Sequence, residues 1–149
     1  MSILDIRSEF CDATALNTGA AGTYLIGSQI DTGAPASKDF GNVEPMWLVI
    51  GVDTPAASTG GALTVQFKLA SDDSAAVHVS TSTVLVTTPV FTQAQLVAGF
   101  EWAVQLPGVT SERYLGILQV TAGEAATAGK VNAYLTPNYK KNIAYPDGL

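Results

Sequence analysis

Apolar residues recur along this chain at every second position rather than every third or fourth. In Leu63-Thr64-Val65-Gln66-Phe67-Lys68-Leu69 the odd positions are apolar and the even ones polar. Successive side chains of a strand point to opposite faces, so this pattern puts one face on a core and the other in water. Phe100-Glu101-Trp102-Ala103-Val104-Gln105-Leu106 repeats it, and Val131, Ala133 and Leu135 alternate with Asn132, Tyr134 and Thr136. Three further runs, 46–52, 81–88 and 114–120, are apolar or β-branched almost throughout. They read as strands covered on both faces, because β-branched residues dominate and Gly116 would weaken a helix interior.

Turn chemistry separates these runs. Asp31-Thr32-Gly33-Ala34-Pro35 and Gly41-Asn42-Val43-Glu44-Pro45 frame a long loop, and Asp53-Thr54-Pro55 through Gly60-Gly61 divides two strands. Ser71-Asp72-Asp73-Ser74 follows the Leu63 run and Pro107-Gly108 follows Leu106, with Pro89 and Pro107 at strand ends, where a missing N–H costs least. The only helix candidate is 92–98, with Thr92 as N-cap and Gly99 as its stop. Eight strands are expected, near 12–16, 22–27, 46–53, 62–70, 82–88, 100–106, 113–122 and 129–136. The fold class is therefore all-β, an antiparallel sandwich with minimal helix, formed by one domain over 1–136.

Residues 137–149 lose the alternation and are set apart as a C-terminal tail or arm. It carries Tyr139, Ile143, Tyr145 and Leu149. Two readings stand: a segment lying along its own sandwich, or an arm reaching a neighbouring subunit through large, stiff tyrosine side chains. On the second reading Tyr139, Lys140, Lys141 and Tyr145 are the candidate partner contacts.

Charge narrows the function. The 149 residues hold 13 acidic and 7 basic side chains, a net charge of -6, and only 13% are charged. A surface built from Thr, Ser, Asn, Gln and Gly needs little desolvation when a partner arrives. Nucleic-acid binding requires clustered Lys and Arg, and Lys140-Lys141 is the only adjacent basic pair. No run is long enough to form a membrane-spanning helix. Met1-Ser2-Ile3-Leu4-Asp5 lacks the apolar core of a signal peptide, and the single Cys11 excludes an intrachain disulfide; both point to assembly in a reducing cytoplasm.

Candidate chemistry is sparse. His78 is the only histidine and Cys11 the only thiol, so a metal or nucleophile site would need these two singletons to converge. Cys11 reads better as a small buried apolar side chain. Asp72-Asp73 lacks the closing ligand of a calcium loop and reads as a turn in which Asp bonds the local backbone. Glu9 with Asp12, or Glu101 beside Trp102, supplies carboxylates whose separation nothing fixes. The glycines at 60–61 and 19–22 lack the lysine of a phosphate loop. Arg113 pairs either with Glu112 or across the sheet. No enzyme activity, metal or cofactor is expected.

Several stretches together resemble the jelly-roll cement, or decoration, proteins on the outer capsid of short-tailed bacteriophages. They are Phe10-Cys11-Asp12-Ala13-Thr14-Ala15-Leu16, Pro45-Met46-Trp47-Leu48-Val49, Ala62-Leu63-Thr64-Val65-Gln66-Phe67 leading to Ser71-Asp72-Asp73-Ser74, and Leu96-Val97-Ala98-Gly99-Phe100. Leu106-Pro107-Gly108-Val109, Glu112-Arg113-Tyr114-Leu115-Gly116 and Thr127-Ala128-Gly129-Lys130-Val131 complete the series, which spans about residues 9–135. The resemblance implies an eight-stranded jelly roll on the outer surface of the virion. It also implies binding to the major capsid protein and self-association as a homodimer or other homo-oligomer. It transfers no catalytic residue. Two other classes compete: a receptor- or carbohydrate-binding fibre module, which needs exposed aromatics such as Trp47 or Trp102 with Tyr24, and a small-ligand barrel or enzyme, which needs a deep polar pocket.

Overall fold

The computed structural model describes residues 8–33, 38–40, 45–137 and 139, with the side chains of 38–40 and 109 excepted. Eleven strands follow one another: β1 Glu9–Ala15, β2 Gly22–Asp31, β3 Lys38–Phe40, β4 Trp47–Ala57, β5 Thr64–Asp72, β6 Thr83–Thr87, β7 Phe91–Thr92, β8 Glu101–Gln105, β9 Val109–Ser111, β10 Tyr114–Ala122 and β11 Ala128–Thr136. All pairings are antiparallel. One sheet has the order β1-β11-β4-β8 and the other β2-β10-β5-β6, with β7 also on β5; β3 and β9 form a separate ribbon. Taking the eight long strands in chain order, the two sheets draw on first, eighth, third, sixth and on second, seventh, fourth, fifth. That interleaving of two Greek keys is the jelly roll.

The alternation read from the sequence sets which face is inside. Val65, Phe67 and Leu69 of β5, Leu115 and Ile117 of β10, Leu48, Ile50 and Val52 of β4 and Val131, Ala133 and Leu135 of β11 meet in one core between the sheets. Leu63 and Leu96 seal the core among the loops that join them. A second, small cluster lies on the opposite face of the five-stranded sheet. Here the 73–82 connection folds back so that Val77 covers Ala70 and Leu118, with Leu25 and Tyr114 beside them. Gly116 makes room for that plug, since a Cβ there would stand 3.0 Å from Leu25 and 3.2 Å from Val77.

Three expectations need correction. The 92–98 segment is not a helix: it is one turn, Gln93 to Gln95, closed by Leu96 N–H toward the Thr92 and Gln93 carbonyls. Gln95 Oε1 accepts from the Thr92 N–H at 2.9 Å, so the capping signal is real but serves a single turn. Tertiary pairing then takes over, with Leu96 C=O accepting from Ala56 N–H and Gly99 N–H donating to Val52 C=O. Second, the 81–88 run is not covered on both faces. It forms an edge strand whose Leu85 and Val86 pack inward while Thr83, Val84 and Thr87 are exposed. Third, β4 does not stop at Asp53 but runs through Pro55 to Ala57, and the register shifts opposite Lys130 absorb the proline.

Candidate contact surface

From Val79 to Phe100 the chain contains no Asp, Glu, Lys, Arg or His. This stretch contains β6, β7, the turn at 93–95 and the entry to β8. β6 and β7 line one edge of the five-stranded sheet, both paired to β5, and residues 96–100 run along β4 toward β8, the edge of the other sheet. The stretch therefore borders both sheets, along β5 in one and β4 in the other. Among the described residues, the exposed large hydrophobic side chains are Val79 (45%), Val84 (43%), Val90 (57%) and Val97 (50%), and all four lie in it. Single exposed apolar residues are ordinary; here all four fall within one stretch of sequence that carries no charge, which makes it a candidate contact surface.

Beneath this surface the frame is rigid. Phe91 packs edge-on against Phe100 at 5.2 Å and Trp102 at 6.4 Å. Thr88 is buried, and its hydroxyl accepts from Phe67 N–H at 3.0 Å while donating to Pro89 C=O. The Gln66 amide donates to Thr88 C=O at 2.8 Å. Ser58 Oγ donates to Gln93 Oε1 at 2.7 Å, tying the turn to the β4–β5 loop. That loop is in turn held by Glu124, whose carboxylate accepts from Gly60 N–H at 2.8 Å and Ala62 N–H at 3.3 Å. Val90 and Val97 thus project from a braced end of the sandwich rather than from a free loop.

The outer face of the four-stranded sheet shows where Tyr139 goes. Trp47, Val49 and Gly51 of β4 share this face, with Tyr134 and Ala103 flanking Val49 and Glu101 flanking Gly51. Tyr139 lies 5.7 Å from Trp47, ring to ring, and its hydroxyl donates to Glu101 Oε1 at 2.6 Å. That hydrogen bond, with burial, pushes the phenol up to about 12. At this residue the tail lies against its own sandwich. Lys140, Lys141 and Tyr145 lie outside the described residues.

The other candidates are dispersed. Cys11 is buried in the core, and burial pushes its thiol up to about 11. His78 is exposed; its Nδ1 is 2.9 Å from Asp72 Oδ2, which also accepts from His78 N–H at 3.0 Å. Asp72 Oδ1 accepts from Ser74 N–H at 2.9 Å, so the turn reading holds. These backbone N–H bonds, with the imidazole, bring Asp72 down to about 2. Arg113 pairs across the sheet rather than with Glu112, through Nε at 2.8 Å and a second nitrogen at 2.9 Å on Asp31, and stacks over Tyr114 at 5.0 Å. Asp31 drops to about 2 through that pair and the Gly33 N–H. Glu9 is raised, first by burial and then by Asp12. Tyr24 hydroxyl is engaged by Ala20 C=O at 2.6 Å. Among the described residues no three His, Cys, Asp or Glu side chains gather as metal ligands.

Alternation alone does not reveal this candidate surface, because a β-branched run at 81–88 also fits an interior strand and 92–98 carries a helix-capping signal. The signal was present as the long gap between charges, from Val79 to Phe100. No curated protein matches the chain. Residues 10–135 match the sequence model of the Bbp16 family, a span that starts in β1 and ends in β11 and so takes in all eight long strands of the jelly roll. On that match the chain belongs to the Bbp16 family.

Proposed function

We propose that this protein is a structural component of a phage virion that binds the outer surface of the capsid and cements neighbouring major capsid protein subunits. The observation that carries the reading is the uncharged stretch 79–100, in which Val79, Val84, Val90 and Val97 stand exposed. An acidic chain of net charge -6 has its easiest contact where no charge must be desolvated. Val90 and Val97, at the end held by Glu124 and Ser58, are the residues assigned to the capsid. Each contact need be only modest, because many copies on one lattice act together. The sequence resemblance to jelly-roll cement proteins and the jelly-roll strand order support the same reading.

A carbohydrate-binding module has less support. The Trp47 face is occupied by Tyr139, and Trp102 packs toward Phe91 and the core. The test is addition of purified protein to capsids that lack it. Co-sedimentation and raised heat resistance are expected, with Val90→Glu/Val97→Glu losing both; no association of the unaltered protein with such capsids refutes the reading.

A further inference from the structure

Glu124 carries its charge without an ion-pair partner. Among the described residues the ion pairs are His78 with Asp72 and Arg113 with Asp31, and Glu124 joins neither. It stands in the connection from β10 to β11 and reaches the β4–β5 loop, Ser58-Thr59-Gly60-Gly61-Ala62, which has no charge of its own. One oxygen, Oε2, accepts from Gly60 N–H at 2.8 Å and from Ala62 N–H at 3.3 Å. Ser58, then these two N–H groups, hold the carboxyl below the usual carboxylate range. Successive N–H groups turned inward around a left-handed residue form an anion-binding hollow, or nest. Gly61, at φ 80°, supplies that residue here. Gly60 offers the anion bare backbone, since a Cβ there would collide with Glu124 Oε1.

The hollow is coupled to the contact surface. Ser58 Oγ accepts from Gly61 N–H at 3.1 Å and donates to Gln93 Oε1 at 2.7 Å. Gln93 N–H donates to Leu63 C=O at 3.0 Å, so the turn at 93–95 is fastened to this loop and its exit at two points. Val90 and Val97, the two most exposed of the four valines, flank that turn in the chain.

We propose that the 58–62 loop is a carboxylate-binding nest and that Glu124, by filling it, is the positioning residue for the turn that carries Val90 and Val97. Backbone N–H bonds to a carboxylate are charge-assisted and stronger than those between neutral groups. Emptied, the nest leaves the Gly60 and Ala62 N–H groups to water, and Ser58 and Gln93 lose their anchor. Glu124 touches no partner itself; it acts through Ser58 and Gln93. The nest stands independently, while the use of this turn against a capsid rests on the reading above.

Glu124→Ala in the intact chain tests it, because acetate carries the same heavy atoms that the substitution deletes. Hydrogen exchange is expected to quicken at amides 60–62 and 93–97 in this variant, with 117–119 unchanged. Acetate is expected to restore protection at both segments, and chloride at equal ionic strength to restore neither. Glu124→Gln, which keeps the shape without the charge, is expected to fall between. On capsids that lack the protein, Glu124→Ala is expected to bind about tenfold more weakly, the loss of one charge-assisted bond, and acetate to recover it. Protection at 93–97 that persists when 60–62 loses it overturns the proposal, as does acetate acting no better than chloride. Glu124→Ala binding capsids as tightly as the unaltered chain also overturns it. If the unaltered chain binds no capsid, the capsid reading falls and the exchange results alone decide the nest.

Discussion

Gln119 is the most informative single residue to change. It sits in β10 on the same face as Leu115 and Ile117, so a polar amide points into the core, fully buried. Its amide is matched to the chain where β1 passes toward β2. Asn17 N–H donates to Gln119 Oε1 at 2.8 Å, and Gln119 Nε2 donates to Asn17 C=O at 3.1 Å and to Thr121 Oγ1 at 2.8 Å. Gln119→Leu keeps much of the volume and removes all three bonds. A buried backbone group left unpaired costs about 1–3 kcal/mol, and two are orphaned at Asn17. Asn17 is only half-buried, so water recovers part of this, and the added apolar burial offsets about 1 kcal/mol. The net loss is about 2–3 kcal/mol, a fall in melting temperature of about 4–12 °C for a chain this size. Urea unfolding measures it as a lower midpoint at unchanged slope. A Gln119→Leu protein as stable as the original would refute the claim that this amide fastens the crossing between sheets.

Acid should weaken the fold in a defined window. Asp31 and Asp72 titrate at about 2 in the folded chain, below the usual carboxylate value, so the unfolded chain takes up protons first. Their contribution is complete above about pH 4 and is lost as pH falls toward about 2. Urea midpoints across that range should flatten in Asp31→Asn/Asp72→Asn. Cys11 has the opposite sense: with its thiol at about 11 when folded, stability falls as pH rises above the ordinary thiol value. It should react with Ellman's reagent only on unfolding. Ser71 is fully buried and its hydroxyl has no hydrogen-bond partner among the described residues, so Ser71→Ala should leave the melting temperature unchanged or raise it.

Much of the architecture was legible because the alternation is nearly unbroken: Leu63 to Leu69 and Val131 to Leu135 fall on the core face as read. β3, β7 and β9 were not, since two or three residues carry no period and exist only through their partners. The helix expected at 92–98 failed because a capping signal specifies a start, while Leu96 and Gly99 are claimed by β4 one turn later. A continuous β-branched run is equally compatible with an interior strand and with an edge strand whose outer face is exposed, which is why the structure differs from the expectation at 81–88. For Arg113 the sequence left two partners open, and the Tyr114–Asp31 register decides for Asp31.

The interleaved strand order also dictates how the chain can come to be folded. β11 lies between β1 and β4, and β10 between β2 and β5, so the two strands latest in sequence occupy the interior of both sheets. Glu9 is paired opposite Tyr134, across most of the chain. While β10 and β11 are still within the ribosome, β1 and β2 have no ladder partners and neither sheet can close. Folding must therefore wait until β10 and β11 have emerged, and is slow, dominated by distant loop closures. Until it completes, the uncharged 79–100 stretch is open to wrong pairings, which places the demand for chaperone protection early in the life of each copy.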